Sequence, residues 1–254
     1  HSSKSCLTDL SNEIKTASKH LIFAFVALTA FASCGGGSST SVSKESLFGD
    51  IPEVYEKRQV EMAEKLKELS KSGDKKDDAS LEKAIGLLTE MQAAMEEAKK
   101  EAQPLADKMV GKTIAYTLSD SLPYQIVSDI KVEKVRLPEL GVLNGGEKQT
   151  RLSVKFDAVV TGQTDGRLYL YYLLMDDDAS LGYDRESVGK CAQGDTIHAE
   201  ITVEAPDVPA KYQMSCNMLK FVTQSVYDNE SKAIKERQKQ WNDEMKKKLG
   251  LEEE

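Results

Sequence analysis

The hydrophobic period of this chain changes twice, and these changes constrain the fold more than any other feature of the sequence. From about residue 48 to residue 110, apolar residues recur every three or four positions, which is the period of an amphipathic helix. From Gly111 to about residue 224 they alternate with polar residues, as in a half-buried strand. After Val226 the helical period returns. Helices at both ends of a block of strands predict the α+β class rather than a parallel α/β sheet.

The N-terminal helical region, residues 48–110, is predicted to form an α-helical hairpin. Two amphipathic stripes are separated by a polar run from Lys71 to Asp78, which predicts a solvated turn between antiparallel helices. Pro104 lies within the second stripe, and because proline lacks an N–H and clashes with the preceding turn, we expect a kink or a restart there. A C-terminal α-helix is predicted over residues 225–254.

Residues 111–224 contain several short predicted strands with turns and no helices between them. The alternation changes phase near Glu133, which predicts a β-bulge or a break in the strand. Residues 168–175 are apolar on both faces, so we expect this strand to lie centrally between two layers. The pattern predicts an antiparallel β-sandwich, Ig-like in general character, with a barrel as the alternative.

The charge of the chain limits its partners. The formal net charge at pH 7 is −8 for all 254 residues. From Gly35 onward the chain has 31 basic and 40 acidic residues, a net charge of 31 − 40 = −9. A chain this acidic has no general electrostatic reason to bind nucleic acid or anionic lipid, so the sequence predicts no nucleic-acid partner.

An apolar run of 12 residues, Leu21 to Ala32, lies between basic residues and Cys34. It is too short to span a bilayer as a stable helix but suits the apolar region of a secretory signal peptide. With Ala32 and Ser33 before the cysteine, the segment resembles the lipobox of bacterial lipoproteins. An ordinary signal peptide and an uncleaved anchor are the alternatives.

This resemblance implies a processed, membrane-anchored protein. Residues 1–33 would be removed as a signal peptide, with 1–14 interpreted as an extension of the gene model. Cys34 would then carry the lipid that binds the membrane, and the Gly/Ser/Thr-rich residues 34–47 would form a flexible tether. The Gly-rich run after the cysteine is similar to that of outer-membrane lipoproteins of Bacteroidetes-like bacteria. The lack of an acidic cluster directly after Cys34 favours a periplasm-facing position in the cell envelope.

Two cysteines remain after the leader and the lipidation site, namely Cys191 and Cys216. In an oxidising envelope, such a pair predicts a disulfide, which would close a loop of 216 − 191 = 25 residues and stabilise the fold by roughly 3 to 4 kcal/mol. The alternative is two buried thiols, because sequence spacing does not show whether the Cα atoms approach each other.

The chain offers few side chains for catalysis. Only His198 survives processing, and it lies on the polar face of its predicted strand. The run Asp176–Asp178 with Asp184 could gather oxygens around a calcium ion, but it lacks the alternate spacing and the glycine of a loop-type site. Tyr169, Tyr171 and Tyr172 are expected in the core rather than in a glycan-binding surface. We assign no catalytic, cofactor-binding or metal-binding residue.

These observations predict a non-enzymatic, lipid-anchored protein that acts as a binding or scaffolding module and docks an envelope protein through its helices. A small-ligand or glycan-binding lipoprotein is the first alternative and requires a concave pocket. An envelope hydrolase that uses two carboxylates is the second.

Overall fold

A computed structural model describes residues 45–71, 78–139, 149–163, 166–177 and 179–249. This part of the chain is a mixed α+β structure with four helices and eight strands. In chain order the elements are α1 (Ile51–Lys71), α2 (Asp78–Met109), β1 (Tyr116–Leu118), β2 (Tyr124–Ile126), β3 (Lys131–Arg136), β4 (Arg151–Val160), β5 (Arg167–Asp176), β6 (Ala179–Lys190), β7 (Thr196–Glu204), α3 (Ala210–Ser215), β8 (Met218–Val222) and α4 (Gln224–Leu249).

The strands form two sheets, consistent with a sandwich. The first sheet has the order β1-β8-β5-β6, and in the second β4 pairs with β2 and β3 along one edge and with β7 along the other. The pairings are antiparallel except that of β1 with β8, which is parallel. The sequence predicted only antiparallel strands. Because a long stretch of chain connects β1 to β8, no tight turn forces these two strands into opposite directions.

The core between the sheets follows the alternation seen in the sequence. Every second residue of β4 and β7 is buried, while the residues between them face solvent or lie at its margin. Phe221 of β8 is fully buried, and its ring lies 5.5 Å from that of Phe156 and 6.1 Å from that of Tyr172. These centroid distances are typical of packed aromatic pairs, so Phe221 joins the two sheets at the centre of the core.

Strand β5 is buried on both faces, as predicted. Leu170, Tyr172 and Leu174 belong to the main core, whereas Leu173 and Met175 belong to a second, smaller apolar cluster on the opposite face. Tyr227 of α4 packs against this second cluster. The first sheet is therefore covered on its outer face by α4.

Two further predictions concern local backbone geometry. The register of β3 against β4 shifts between Val132 and Lys134, so the predicted bulge near Glu133 is confirmed. Helix α2, in contrast, continues through Pro104 without ending, so the predicted restart does not occur.

The folded part begins slightly earlier than the sequence predicted. Leu47, assigned to the tether, is 5% exposed, and its backbone N–H donates to the carbonyl of Cys216 at 2.7 Å. The predicted tether residues from Cys34 to Lys44, and the predicted signal peptide, lie outside the described residues. Among the described helices, none is both long and apolar enough to cross a bilayer.

Candidate functional site

The most distinctive feature of the structure is the direction in which its long helices leave the sandwich. We call one end of the sandwich the arm end; it is where β3 and β7 finish, where β4 begins and where the turn between β5 and β6 lies. The loops around residues 119–123, 161–163 and 191–195 lie at the opposite end, which we call the far end.

Helices α1 and α2 together form what we call the arm. Its base is fixed beside the end of β3, where the Tyr55 hydroxyl donates to the carbonyl of Pro138 at 3.2 Å and Lys99 pairs with Glu139. The pKa of the Lys99 ammonium is raised by its hydrogen bond to Glu139. These contacts lie just past Arg136, the last residue of β3. They place the base of the arm at the arm end.

The arm runs outward from this base. At the C-terminal end of α2, the N–H of Gly111 donates to the carbonyl of Val132, while Lys99, ten residues before Met109, is level with Glu139. Helix α2 is therefore antiparallel to β3, and its N-terminal part extends beyond the arm end. At about 1.5 Å per residue, the residues of α1 after Tyr55 extend about 24 Å and the residues of α2 before Lys99 about 30 Å.

Ion pairs and a methionine-rich seam hold the two helices of the arm together. Lys65 pairs with Glu90 at 2.6 Å, and Arg58 lies 3.8 Å from Glu97. Because the residue numbers rise along α1 while those of their partners fall along α2, the helices are antiparallel. Buried methionines, which adapt to irregular gaps, lie along the contact; they are Met62, Met91 and Met95.

Toward its outer end the arm leaves apolar surface uncovered. Ile85 is 48% exposed, and Leu87 and Leu88 are half-buried. Two helices bury only the apolar stripes that face each other. An apolar stripe that is wider than this contact stays partly exposed and can pack against a third element. The turn predicted between the two helices lies outside the described residues.

Helix α4 leaves the sandwich at the same end as the arm. It begins directly after β8, whose last residue, Val222, pairs with Tyr171 near the middle of β5, and Tyr227 lies over Tyr171 with a ring separation of 5.0 Å. Ten residues later Arg237 donates to the carbonyl of Ser180, beside the turn between β5 and β6. The helix thus runs back toward the arm end. Residues 238–249, which we call the tail, extend it by about 18 Å beyond Arg237.

A partly buried polar network fixes the direction of α4. The Ser180 side chain, in a residue 6% exposed, donates to the Glu230 carboxylate at 2.6 Å. Arg237 donates to both the carbonyl and the hydroxyl oxygen of Ser180. Ile234 lies between these residues and is 2% exposed, so one apolar side chain and one charge-assisted network hold the helix on β6.

The arm and the tail together form what we call the fork. The arm lies beside β3, at one edge of the sandwich, and α4 crosses β6, at the opposite edge. Neighbouring strands are about 4.8 Å apart, and three such spacings separate the two edges of a four-stranded sheet. The two projections are therefore separated by about 15 Å or more. An opening of this size admits a helix or a loop of another protein. Helical periodicity predicted each helix, but nothing in the sequence indicated that both projections leave from one end.

Two of the three tyrosines considered from the sequence lie at a surface. Tyr172 is in the core, and its hydroxyl donates to the carbonyl of Thr202 at 2.6 Å. Tyr169 and Tyr171 are half-buried on the outer face of the first sheet. Tyr183 and Tyr227 extend this half-buried group, and we call the four residues the tyrosine face. Burial, followed by the nearby charge of Asp184, raises the pKa of Tyr227.

His198 lies on the solvent-facing side of the second sheet, as predicted. Its Nδ1 lies 2.6 Å from Asp157 Oδ1, and the imidazole side chain is 82% exposed. Neighbouring rows of the same face carry further polar pairs, such as Arg151 with Glu204. These pairs occupy the non-hydrogen-bonded positions of the β4–β7 register, where side chains on neighbouring strands approach most closely. Cross-strand pairing is therefore enough to explain the contact of His198 with Asp157, and no catalytic role is needed.

The acidic residues considered for calcium do not form a site in the described structure. Asp176 and Asp177 lie at the turn after β5, and Asp177 accepts a hydrogen bond from Asn217. Asp184 is further along β6, and Asp178 lies outside the described residues. Within the described part of the chain, no group of three or more His, Cys, Asp or Glu side chains is placed to hold a metal ion.

The structure does not join Cys191 to Cys216. Cys191 follows Lys190, which pairs with Arg167 at the start of β5, while Cys216 precedes Met218, which pairs with Met175 near the end of β5. Eight residues of extended strand separate these levels by about 26 Å, far more than the 7 Å that a disulfide tolerates. The pairing predicted from the sequence is therefore absent, and Cys216 is a buried thiol whose pKa is raised to about 12, mainly by burial.

The predicted lipidation residue, Cys34, lies outside the described residues. A scan against family models, a search of curated proteins and a search of solved structures each find no match to this chain.

Proposed function

We propose that this protein is a non-enzymatic lipoprotein of a bacterial cell envelope that binds or scaffolds a partner protein through the fork. In this proposal Cys34 carries the lipid, residues 1–33 are the signal peptide and the anchor lies in the outer membrane facing the periplasm. The helices of the arm form a hairpin, and the sandwich, Ig-like in general character, is the body that positions them.

One observation carries this proposal: two helical projections leave the same end of the body on opposite edges. The arm extends about 24 to 30 Å past its last contacts with the sandwich, and the tail about 18 Å. Exposed charged residues occur on both projections where side-chain burial is described, such as Lys83 on the arm and Asp243 on the tail, and partly exposed apolar residues lie near the outer end of the arm. Helices held this far from a core present long surfaces of the kind that helix-mediated docking uses.

Site-specific photocrosslinking in cells tests the proposal. A photoreactive amino acid replaces Gln92, which is exposed on α2, and in a matched control it replaces Gln163, which is exposed at the far end. We expect a discrete crosslinked species from position 92 and none from position 163. Removal of residues 238–254 should abolish the crosslinked species from position 92, because the partner then loses one of the two projections of the fork. Equal crosslinking from both positions, or a species that survives the truncation, contradicts the proposal.

Mass spectrometry of native material tests the anchor separately. A mature N-terminus at Cys34 with a diacylglycerol on its sulfur is expected. An unmodified thiol at position 34 contradicts the lipoprotein assignment.

The tyrosine face supports a second candidate function, the binding of a glycan. Half-buried aromatic rings next to a cation provide stacking and hydrogen-bonding groups, and the Arg185 guanidinium lies 5.7 Å from the Tyr169 ring centre. Binding of envelope oligosaccharides, followed by tyrosine fluorescence, should weaken at least tenfold in Tyr169→Ala. Unchanged binding in that variant excludes this face as the glycan site.

A further inference from the structure

The charged side chains that the strands of the first sheet present on its outer face are all basic. Residues that pair across neighbouring strands point to the same face of a sheet, and Tyr171 and Leu173 identify the outer face because they lie in the apolar cluster against α4. Four basic residues share this face: Arg167, Arg185, Lys190 and Lys220. The acidic residues of β6, Asp184 and Glu186, occupy alternate positions and point to the other face. The outer face is thus a local exception on a chain whose net charge is −8.

The part of this face nearest the far end is open to solvent. Helix α4 begins beside Tyr171 and runs toward the arm end, so it leaves the first rows of β5 uncovered. Of the four basic residues, only Lys220 is half-buried, and the other three are exposed. None of the four forms an ion pair with a carboxylate in the described part of the chain. Their charges are therefore available to an anionic ligand.

Aromatic rings lie between these cations. Arg167, Tyr169 and Tyr171 follow one another at two-residue steps along the outer face of β5, and the two tyrosine ring centres are 6.0 Å apart. The Arg185 guanidinium lies 5.7 Å from the ring centre of Tyr169. Aromatic rings offer flat apolar surface, whereas guanidinium and ammonium groups bind carboxylates through charge-assisted hydrogen bonds. A ligand that uses both must combine partly apolar rings with acidic groups.

From this arrangement we infer that the outer face of the first sheet binds an acidic oligosaccharide, one whose sugar rings carry carboxylate groups. The inference rests on the second candidate function, glycan binding at the tyrosine face, and names the class of glycan. The sugar rings lie against Tyr169 and Tyr171, and their carboxylates pair with Arg185 and Lys190. At an ionic strength of about 0.1 M the Debye length is about 10 Å. Acidic residues elsewhere on the chain are then screened, while cations in direct contact with the ligand are not.

Calorimetric titration of the full chain with tetragalacturonate tests this inference. The fully methyl-esterified form is the matched ligand, because it keeps the sugar rings and removes their charges. We expect the acid to bind at least tenfold more tightly than the ester at an ionic strength of about 0.05 M. This difference should largely disappear at about 1 M, where the Debye length is about 3 Å.

Two variants and a matched control locate the site. Arg185→Gln and Lys190→Gln should each weaken binding of the acid at least threefold, because each removes one charge-assisted contact. Arg185 also contacts the Tyr169 ring, so Lys190→Gln separates lost charge from a displaced ring. The control, Lys131→Gln, removes the same charge from the exposed side of β3 in the second sheet and should leave the affinity unchanged.

Four results would overturn the inference. Equal binding of the acid and the ester that is lost in Tyr169→Ala removes the preference for an acidic ligand but leaves the second candidate function standing. If neither form binds, the inference fails, and the fluorescence test with envelope oligosaccharides decides the second candidate function separately. An equal loss of affinity in Lys131→Gln assigns the effect to net charge and not to this face. Tighter binding of a single-stranded oligonucleotide of the same charge assigns the face to nucleic acid.

Discussion

Replacement of Ile234 by alanine should release α4 without unfolding the sandwich. Ile234 is 2% exposed and is the most buried apolar side chain among the residues of α4 whose burial is described. The substitution removes three carbon atoms, and at about 0.8 kcal/mol for each buried CH₂ the lost transfer free energy is about 2.4 kcal/mol. A partly collapsed cavity can raise this value toward the upper part of the usual range of about 2 to 5 kcal/mol.

This free energy should appear as local opening rather than as global unfolding. The sandwich has its own core around Phe221, whereas α4 is held by Ile234, Tyr227 and the Ser180 network. Elements with few buried apolar contacts open independently of the core. A loss of about 2.4 kcal/mol corresponds to a decrease of about 60-fold in the hydrogen-exchange protection of residues 228–237.

Hydrogen exchange followed by mass spectrometry measures this effect, with Val226→Ala as the matched control. Val226 is a β-branched residue of the same helix but is 37% exposed, so its truncation should change protection by no more than about twofold. Two results would refute the reasoning. Unchanged protection of α4 in Ile234→Ala means that the apolar contact does not hold the helix. An equal loss of protection in β4 and β8 means that α4 and the sandwich unfold as one unit.

Three further predictions concern buried groups. Cys216 should resist iodoacetamide in the folded protein at pH 8 and react after unfolding, because burial raises its thiol pKa to about 12; mass spectrometry counts the adducts. Tyr55→Phe should lower the free energy of unfolding in urea by about 1 kcal/mol, since the buried Pro138 carbonyl loses its donor. Burial raises the pKa of Tyr124 and Tyr172 above the ordinary value of 10.0. Above pH 10 the unfolded state loses the Tyr172 proton while the folded state keeps it, so this residue alone should lower the stability by about 1.4 kcal/mol per pH unit. Thermal melts of Tyr172→Phe should therefore show a dependence on pH that is shallower by that amount.

The features that sequence predicted best are those set by local periodicity. A change of phase in an alternating strand has few explanations other than an extra residue, and the bulge at Glu133 follows directly. Similarly, residues 168–175 have no polar face, so the strand that contains them had to lie between two apolar layers. Both predictions depend only on which side of a strand each residue faces.

Features set by long-range geometry were not predictable in this way. The approach of two cysteines depends on strand register across the whole sheet, and the pairing of Lys190 with Arg167 separates Cys191 from Cys216 by most of the length of β5. The fork depends on the direction in which α4 crosses the sheet. That direction is fixed by the contact of Arg237 with Ser180, and no spacing within either segment reveals it.

Contacts within the molecule cover parts of the edges of the two sheets. In the pairing of β4 with β7, the N–H of Ala205 donates to Thr150 and the N–H of Val160 donates to Asp195. Hydrogen-bonded pairs recur at every second position between these two. Thr202 occupies a position in between, so its carbonyl points away from β4. That carbonyl already accepts a hydrogen bond from Tyr172 across the sandwich. At Thr202 the edge of β7 is therefore less available to a strand from another chain. On β6 the arginine of α4 occupies an outward carbonyl in the same way, and on β3 the backbone before β1 pairs along the open side. These contacts occupy backbone groups on three edge strands, whereas the projecting parts of the helices have no such cover from the sandwich, which favours the helices over the strands in the proposed docking of a partner.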